Sequence, residues 1–423
     1  MNRFGFMIGT VIALLAPSFA HAAGDQCVGM MQDGHRREAF VCFQKALNAA
    51  PHDKQIREHM AQLLAISNKP AEALAMYDAV LKDDPQDRDA LESRGALLLM
   101  LDRDADAVHA MEVMLKLHPK DAEAISNYGA AALSFGKVDL AQRCFEKSID
   151  IAGPHRNPLM GLGMVEFAKK SPQRAAAYFA EAIKIAPRDG DSHAWLGRAL
   201  ATTDTKAAIA ELARGAELDP ADASIWHDLG QLQLKTSHVR DAGRSFSAAV
   251  KLDPNEPKIW IGLGRCRFEF QEYDDAEKAL AKGLELKPET PDRADAWFFL
   301  GMVREAQKHP KDAEAAYRQQ IRTLPSDTRG YIRVGVMQAT AHQFKEALAT
   351  FDGALAADPH CEPALVDRAA MLVELGRFQE ARQQLAFFKQ VNQNDPALAE
   401  ILLLHKKIDE KLGKQVAVAA RKS

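Results

Sequence analysis

Small, bulky and proline residues recur along this chain at intervals of mostly 33 or 34 residues. The phase is set by eight prolines: Pro51, Pro85, Pro119, Pro187, Pro220, Pro254, Pro288 and Pro359. An alanine stands twelve places before each proline, as Ala73 and Ala242 do, and a bulky apolar residue stands eight before it, as Tyr77 and Phe246 do. A period of this length predicts an array of identical helical hairpins rather than a single globular core.

A glycine also recurs, twenty-four places before the proline in most units: Gly95, Gly163, Gly230, Gly264, Gly301 and Gly335. Glycine inside a helix costs about 1 kcal/mol relative to alanine, so its recurrence indicates a steric need where two helices cross. Proline then ends the second helix, because it cannot continue the hydrogen-bond ladder. The pattern predicts two antiparallel helices of about a dozen residues in each unit.

The phased order of Trp, Leu-Gly, Tyr, Ala, Phe, Ala and Pro resembles the tetratricopeptide repeat family. The match is best over 223–256, 257–290, 294–327 and 328–361. It is weaker over 88–121, where Met111 replaces the aromatic residue, and over 362–393, where Ala369 replaces the glycine. The resemblance implies an all-α fold, an α-solenoid in which antiparallel helix hairpins form a right-handed superhelix.

The ends of the chain differ from the repeats. Residues 1–22 have the features of a cleavable signal peptide, with Arg3, an apolar stretch over 4–16 and an Ala-His-Ala cleavage motif. We expect a partial repeat or cap over 23–53, about ten repeats over 54–393, a capping helix over 394–415 and a disordered tail over 416–423. The chain is then exported, and periplasmic if its source is a Gram-negative bacterium. An uncleaved N-terminal membrane anchor facing the periplasm is the alternative.

Five cysteines are too few for a disulfide scaffold. Cys27 and Cys42 lie on the two arms of the first, shortened hairpin, and either a disulfide or two free thiols is compatible with that position. A disulfide there would close a loop of about 15 residues and contribute about 3 kcal/mol. Cys144, Cys266 and Cys361 fall where packing is expected, so we interpret them as buried thiols.

Composition and motifs argue against several classes of function. The formal net charge of −4 does not favour nucleic acid, which calls for a basic stripe. The sequence has no H-E-x-x-H, G-x-S-x-G or C-x-x-C motif, and its histidines are scattered. We therefore expect no catalytic residue, no metal and no cofactor, and interpret the chain as a protein that is not an enzyme.

The resemblance implies that the first helix of each repeat lines a concave groove. In the early repeats, the inward positions carry polar and acidic residues, among them Gln55, Glu58, Asp89, Glu92 and Glu123. In the later repeats they carry a mixed set that forms the candidate binding surface: Met160, Met164, Phe167, Arg198, His227, Gln231, Ile261, Arg265, Phe268, Phe298, Met302, Ile332 and Val336. These apolar groups either seal a tightly wound superhelix or form a ligand groove, and exposed apolar surface with a polar rim favours the groove.

We therefore interpret the chain as a scaffold for protein–protein interaction in the cell envelope, binding an extended or helical segment of a partner protein of unknown identity. By analogy with the family, it would organise a secretion or polysaccharide-export assembly, as a peripheral component with no membrane-spanning segment after signal cleavage. Two alternatives remain open: a polysaccharide-binding module, and a purely architectural spacer.

Overall fold

The computed structural model describes residues 22–391, residue 406 and residues 408–410, and all regular structure among them is helical. The all-α class expected from the sequence is confirmed. The predicted signal peptide, except Ala22, lies outside the described residues, as do the tail and most of the predicted helix over 394–415. Within that last segment Ile408 is fully buried in the cluster formed by the final hairpins, and Lys406 is exposed.

The chain forms two compact units, Met1–Asp219 and Pro220–Ser423. The described helices of the first unit are α1 Ala22–Gln32, α2 Arg36–Ala49, α3 Lys54–Ile66, α4 Pro70–Asp83, α5 Arg88–Met100, α6 Asp104–Leu117, α7 Ala122–Ser134, α8 Val138–Ala152, α9 Arg156–Ala168, α10 Pro172–Ile185, α11 Gly190–Leu200 and α12 Thr205–Leu218. Those of the second unit are α13 Ala223–Lys235, α14 Val239–Leu252, α15 Pro257–Glu269, α16 Tyr273–Glu285, α17 Thr290–Ala306, α18 Pro310–Thr323, α19 Arg329–Thr340, α20 Phe344–Ala357, α21 Glu362–Glu374 and α22 Phe378–Val391.

Within each unit, consecutive helices pack in pairs as hairpins, and each hairpin packs on the next. The odd-numbered helices are the first helices of the hairpins. First helices of consecutive hairpins also pack against each other, α5 against α7 in the first unit and α15 against α17 in the second. They therefore present a shared surface in each unit, which we call the first-helix face.

Aspartates fix the start of many first helices. The side chains of Asp53, Asp87 and Asp121 accept hydrogen bonds from the backbone N–H groups three residues later. Asp189 and Asp222 play the same part for α11 and α13. Such N-caps satisfy amide groups that the helix leaves unpaired and contribute about 1 kcal/mol each. The Asp that follows five of the eight phasing prolines by two residues is therefore a structural signal in the sequence.

The recurring glycine accommodates the bulky residue of its own hairpin, which confirms the steric need expected from the sequence. A Cβ atom at Gly301 would lie 2.5 Å from the ring of Tyr317, and one at Gly335 would lie 2.5 Å from the ring of Phe351. Both rings are fully buried. In these hairpins, a large side chain of the second helix packs on the bare backbone of the first helix.

In the repeat over 88–121, a ring from the next hairpin replaces the missing aromatic residue. Met111 stands where most other repeats have an aromatic ring, and the space beside Gly95 is filled instead by Tyr128 of the next hairpin. The Tyr128 hydroxyl donates a hydrogen bond to the carbonyl oxygen of Ala107. Met111 in turn accepts a contact of 3.1 Å from the thiol of Cys144. The aromatic ring beside Gly95 therefore comes from the next hairpin and not from the same one.

Two departures from the regular period are visible in the sequence, a short insertion around Pro291 and a proline, Pro154, that stands one residue late, and both have structural counterparts. The insertion around Pro291 lengthens α17 to 17 residues, and the proline occupies its first turn, where a missing N–H costs nothing. The late Pro154 follows Gly153, whose φ of 78° ends α8 in a conformation that glycine adopts readily. The insertion extends a helix rather than a loop.

Cys27 and Cys42 form a disulfide that joins α1 to α2, with their Cα atoms 5.5 Å apart. Cys144, Cys266 and Cys361 are free and buried. Burial raises the pKa of the Cys144 and Cys266 thiols to about 12, which keeps both protonated and unreactive.

We expect Gly163→Ala to destabilise the first unit. The new Cβ atom would overlap the ring of Phe179, and overpacking of this kind costs about 1–3 kcal/mol. Gly29→Ala is the matched control, because no atom lies within 4 Å of the position its Cβ would take. Thermal unfolding followed by circular dichroism should show a lower midpoint for Gly163→Ala only. Equal midpoints for the two variants would contradict the packing role.

We also expect reduction to destabilise the N-terminal hairpin, because opening a loop of this size removes about 3 kcal/mol. The unfolding midpoint of the first transition should fall when a reductant is added, whereas that of Cys27→Ser/Cys42→Ser should not respond. Mass spectrometry of the purified protein under non-reducing conditions provides the direct check. Two free thiols at these positions would show that the bond is absent.

Candidate functional site

The first-helix face of the first unit is partly sealed. Met160 is only 3% exposed, and its sulfur accepts a contact of 3.1 Å from the hydroxyl of Ser192. The expectation that Met160 lies in an open groove is therefore wrong, because the next first helix covers it. Met164 is half-buried. Phe167, at the end of α9, is 39% exposed and available for contact.

Trp195 joins Phe167 and Arg198 into one cluster. The guanidinium of Arg198 lies 4.8 Å from the centre of the indole ring, and Phe167 meets the same indole edge-on at 5.8 Å. Sequence reasoning missed Trp195, because it stands outside the tryptophan position of the repeat. The spacing of Trp195 and Arg198 on a helix, three residues apart, was the available signal.

In the second unit, two arginines flank an aromatic pair. Phe298 and Phe299 contact each other at 5.6 Å on α17. Arg265, from the preceding first helix, lies 4.7 Å from the centre of the Phe299 ring, and Arg329, from the following one, lies 4.7 Å from that of Phe298. Phe299 does not occupy a position that the repeat pattern marks as inward, which is why the sequence did not single it out.

The two arginines differ in charge balance. Arg329 forms ion pairs of 2.5 Å with Asp295 and with Asp327. Burial raises the pKa of Asp327, but its hydrogen bonds to Arg329 outweigh that effect and hold this pKa below the usual value. Arg265, by contrast, makes no ion pair with any residue that the structure describes. Its guanidinium lies over the Phe299 ring without an acidic partner among those residues.

An open cavity of about 470 Å³ lies beside this cluster. Phe298, Arg329 and Ile332 line one side of it, and His360 lines the other. One helical turn after Ile332, Val336 is 39% exposed. The half-buried Phe298 and Met302 pack towards Tyr317, so only part of each side chain faces this surface.

The remaining predicted residues of the second unit contact other side chains of the same protein. Ile261 is only 5% exposed, so its expected place in an open groove is wrong, because it packs against Gly283 of α16. Phe268 is half-buried and contacts Tyr273. His227 lies 3.1 Å from Asp228 and 3.4 Å from Gln231, forming a small polar group on α13.

Family comparisons agree with this architecture. Residues 59–122 and 129–190 match the tetratricopeptide repeat model, and residues 224–400 match the model of the C-terminal domain of cilia and flagella-associated protein 70. The chain is built from tetratricopeptide repeats. No curated protein matches it in sequence.

Several solved structures resemble this tetratricopeptide array. MamA is 25% identical, with a TM-score of 0.36 over 39% of this chain and 95% of its own. The pilF protein of Pseudomonas aeruginosa is 17% identical, with a TM-score of 0.46 over 52% and 99%. Yeast Tom70 is 17% identical, with a TM-score of 0.41 over 98% and 99%. Since all three TM-scores lie below 0.5, these likenesses say nothing about what the chain binds.

The early repeats of the array carry buried acids on their first helices. Glu58 is almost fully buried, and its Oε1 atom has no hydrogen-bond partner, although Lys54 lies 3.7 Å away. Glu92 is also buried and accepts a hydrogen bond of 3.0 Å from Asn127. Burial is the main cause that raises the pKa of both carboxyl groups to about 7. This part of the first-helix face is acidic, and burial disfavours the ionised form of its two buried carboxyl groups.

Two kinds of feature are absent from the described part of the tetratricopeptide array. No group of three or more His, Cys, Asp or Glu side chains there is arranged to hold a metal ion. Among the same residues, no helix combines the length and apolar character needed to cross a membrane.

The buried Glu58 and Glu92 predict that the stability of the first unit depends on pH. In the folded state the pKa of both carboxyl groups is about 7, above the usual 4.5. Between these values the folded state binds more protons than the unfolded chain, so the stability present below pH 4.5 is lost as the pH rises through 7. At pH 8, Glu58→Gln should therefore stabilise the first unit by up to about 3 kcal/mol. Chemical unfolding at pH 5 and pH 8 checks this.

The exposed Glu123 supplies the control, because Glu123→Gln should leave both stability and its pH dependence unchanged. If Glu58→Gln instead destabilises the protein at pH 8, the carboxylate is well solvated or well paired in the folded state. That result would contradict the elevated pKa of Glu58.

Proposed function

We propose that this tetratricopeptide repeat chain is a non-enzymatic scaffold of the cell envelope. Its first-helix face binds an extended or helical segment of a partner protein. Tetratricopeptide domains generally act as protein-interaction scaffolds, and that coarse function follows from the family. The envelope location and the choice of surface are the parts that we add.

The observation that carries the proposal is the arrangement around Arg265. A guanidinium without an ion-pair partner among the described residues lies over the ring of Phe299, beside the half-exposed Phe298. Stacking holds the guanidinium in place, so less side-chain freedom is lost when it binds a carboxylate. Neighbouring apolar surface then adds contact area. Such a group suits a partner segment that has an acidic residue next to a bulky apolar one.

The first unit offers a smaller version of the same chemistry. Phe167, Trp195 and Arg198 combine an exposed ring, a half-buried ring and a stacked cation. Tryptophan and arginine are the residue types that most often dominate binding energy at protein interfaces. We treat each unit as a separate contact point for a partner.

Two features support export to the envelope. The signal-peptide pattern over 1–22 predicts secretion, and the disulfide between Cys27 and Cys42 is of a kind that persists in oxidising compartments. Within the envelope, an organising role in a secretion or polysaccharide-export assembly is the interpretation that we carry forward. It rests on analogy with other repeat proteins.

The alternatives are less well supported. A polysaccharide site favours exposed aromatic rings, yet the indole N–H groups of Trp226 and Trp260 donate to the carbonyl oxygens of Pro220 and Pro254 in the preceding loops. A purely architectural spacer would have a sealed face. Burial of Met160 and Ile261 fits that view in part, but the exposed Phe167 and Val336 do not.

We expect Val336→Asp and Arg265→Glu to reduce partner capture by at least about tenfold, since each places a charge where apolar or cationic surface is needed. The thermal midpoint of Val336→Asp should stay unchanged, because Val336 is exposed. That of Arg265→Glu should fall only slightly, because this change removes the contact with the Phe299 ring but no ion pair with a described residue. Capture from the envelope fraction, quantified by mass spectrometry against wild type, provides the measurement.

Ile185→Asp is the matched control, because Ile185 is 48% exposed but lies at the end of a second helix. It should capture the partner as wild type does. If all three variants capture it equally well, the first-helix face is not the binding surface. A fall in the melting temperature of Val336→Asp would indicate the packing role instead.

A further inference from the structure

A second groove lies away from the first-helix face, on the second helix α14. It has a volume of about 830 Å³ and runs along α14 from Arg240 to Lys251. Trp226 borders it near one end of the helix, and Phe270 borders it near the other. All its lining residues belong to the second unit, and none of them is a predicted site residue.

The groove is strongly basic. Arg240, Arg244 and Lys251 share one side of α14, and Arg267 adds a fourth cation from α15. Two of the four have acidic partners: Arg267 pairs with Glu272, and Arg244 lies 3.3 Å from Asp241.

The other two cations of the groove, Arg240 and Lys251, have no ion pair among the described residues. The next second helix, α16, shows the ordinary mixture, with four acids and two bases in its sequence. The cationic stripe on α14 is therefore not shared by the next second helix.

The groove also exposes apolar surface at two places. Phe270 is 38% exposed and Leu252 is 42% exposed, although most large apolar side chains of the described chain are covered. The Phe270 ring lies beside Gly243 of α14, where a Cβ atom would meet it at 3.4 Å, an ordinary contact distance.

The spacing of these features sets the length of the ligand. Arg240 and Lys251 are eleven residues apart, so the groove extends about 16 Å along the helix. The position of Phe270 over Gly243 and that of Leu252 are separated by about 13 Å on the same scale. An extended chain advances about 3.3 Å per residue, and alternate side chains point the same way. Two apolar side chains four residues apart would therefore reach both places, with acidic residues between them facing the cations.

We propose that this α14 groove binds an extended acidic segment of a protein, with bulky apolar side chains at two positions four residues apart. Cationic charge attracts the segment and fixes its position, and the two apolar contacts add area that a simple anion would not use. The site is separate from the first-helix face, so the chain can hold two segments at once.

Random dodecapeptides displayed on phage, selected on the purified full chain, test the chemistry of the ligand. We expect enrichment of peptides rich in Asp and Glu, with Phe, Leu or Trp at positions i and i+4. Fluorescence anisotropy of one enriched peptide should show a loss of affinity of at least about tenfold for Arg240→Glu/Arg244→Glu. Affinity should also fall with rising NaCl concentration. Phe270→Ser should weaken binding without changing the salt dependence.

Controls separate this site from the proposed function. Arg322→Glu/Lys345→Glu changes the net charge by the same amount on exposed positions of the same unit, and it should bind the peptide as wild type does. Val336→Asp should also bind normally, because it alters only the first-helix face. If the double charge reversal unfolds the unit, Arg240→Gln/Arg244→Gln replaces it and should show a smaller loss in the same direction.

Two results would overturn the proposal. Selected peptides that lack acids, or that bind the charge-reversed variant as tightly as wild type, would show that the groove does not recognise acidic peptide. Binding that depends on Arg240 and Arg244 only for heparin or for phosphatidylglycerol vesicles, without any enriched peptide, would assign the groove to another class of ligand.

Discussion

The contact between a large side chain of one helix and the bare backbone of its partner is the constraint on which the rest of this structure depends. Rings such as those of Tyr317 and Phe351 occupy space that any Cβ atom at Gly301 or Gly335 would fill. Where a hairpin is closed from inside in this way, its remaining surfaces are available for contacts with other molecules. First helices pack against each other and present one face, and second helices present another.

This dependence explains which features could be predicted from sequence. The glycines, the bulky residues and the prolines recur because each is needed within one hairpin, and a period is visible in a single chain. Burial of Met160 and Ile261 could not be predicted in the same way, because it depends on how closely a neighbouring helix approaches. The same holds for Tyr128, which fills a gap left by the preceding repeat.

The candidate site was predicted in part. Arg265, Phe298 and Val336 were identified by their phase in the repeat, and the structure leaves all three at least partly accessible. Trp195 and Phe299 were missed, because their roles come from stacking with arginines that the repeat phase alone does not reveal. Phase tells which side of a helix a residue occupies. It does not tell which side chain from the next repeat will meet it.

The two faces of the second unit differ in chemistry. We propose that the first-helix face is the principal surface for a partner. Site-specific photo-crosslinking in the cell of origin tests it most directly, with benzoylphenylalanine in place of Val336 and, separately, in place of Ile185. We predict a discrete cross-linked protein from position 336 and none from position 185. Cross-links from position 185 alone would contradict the account.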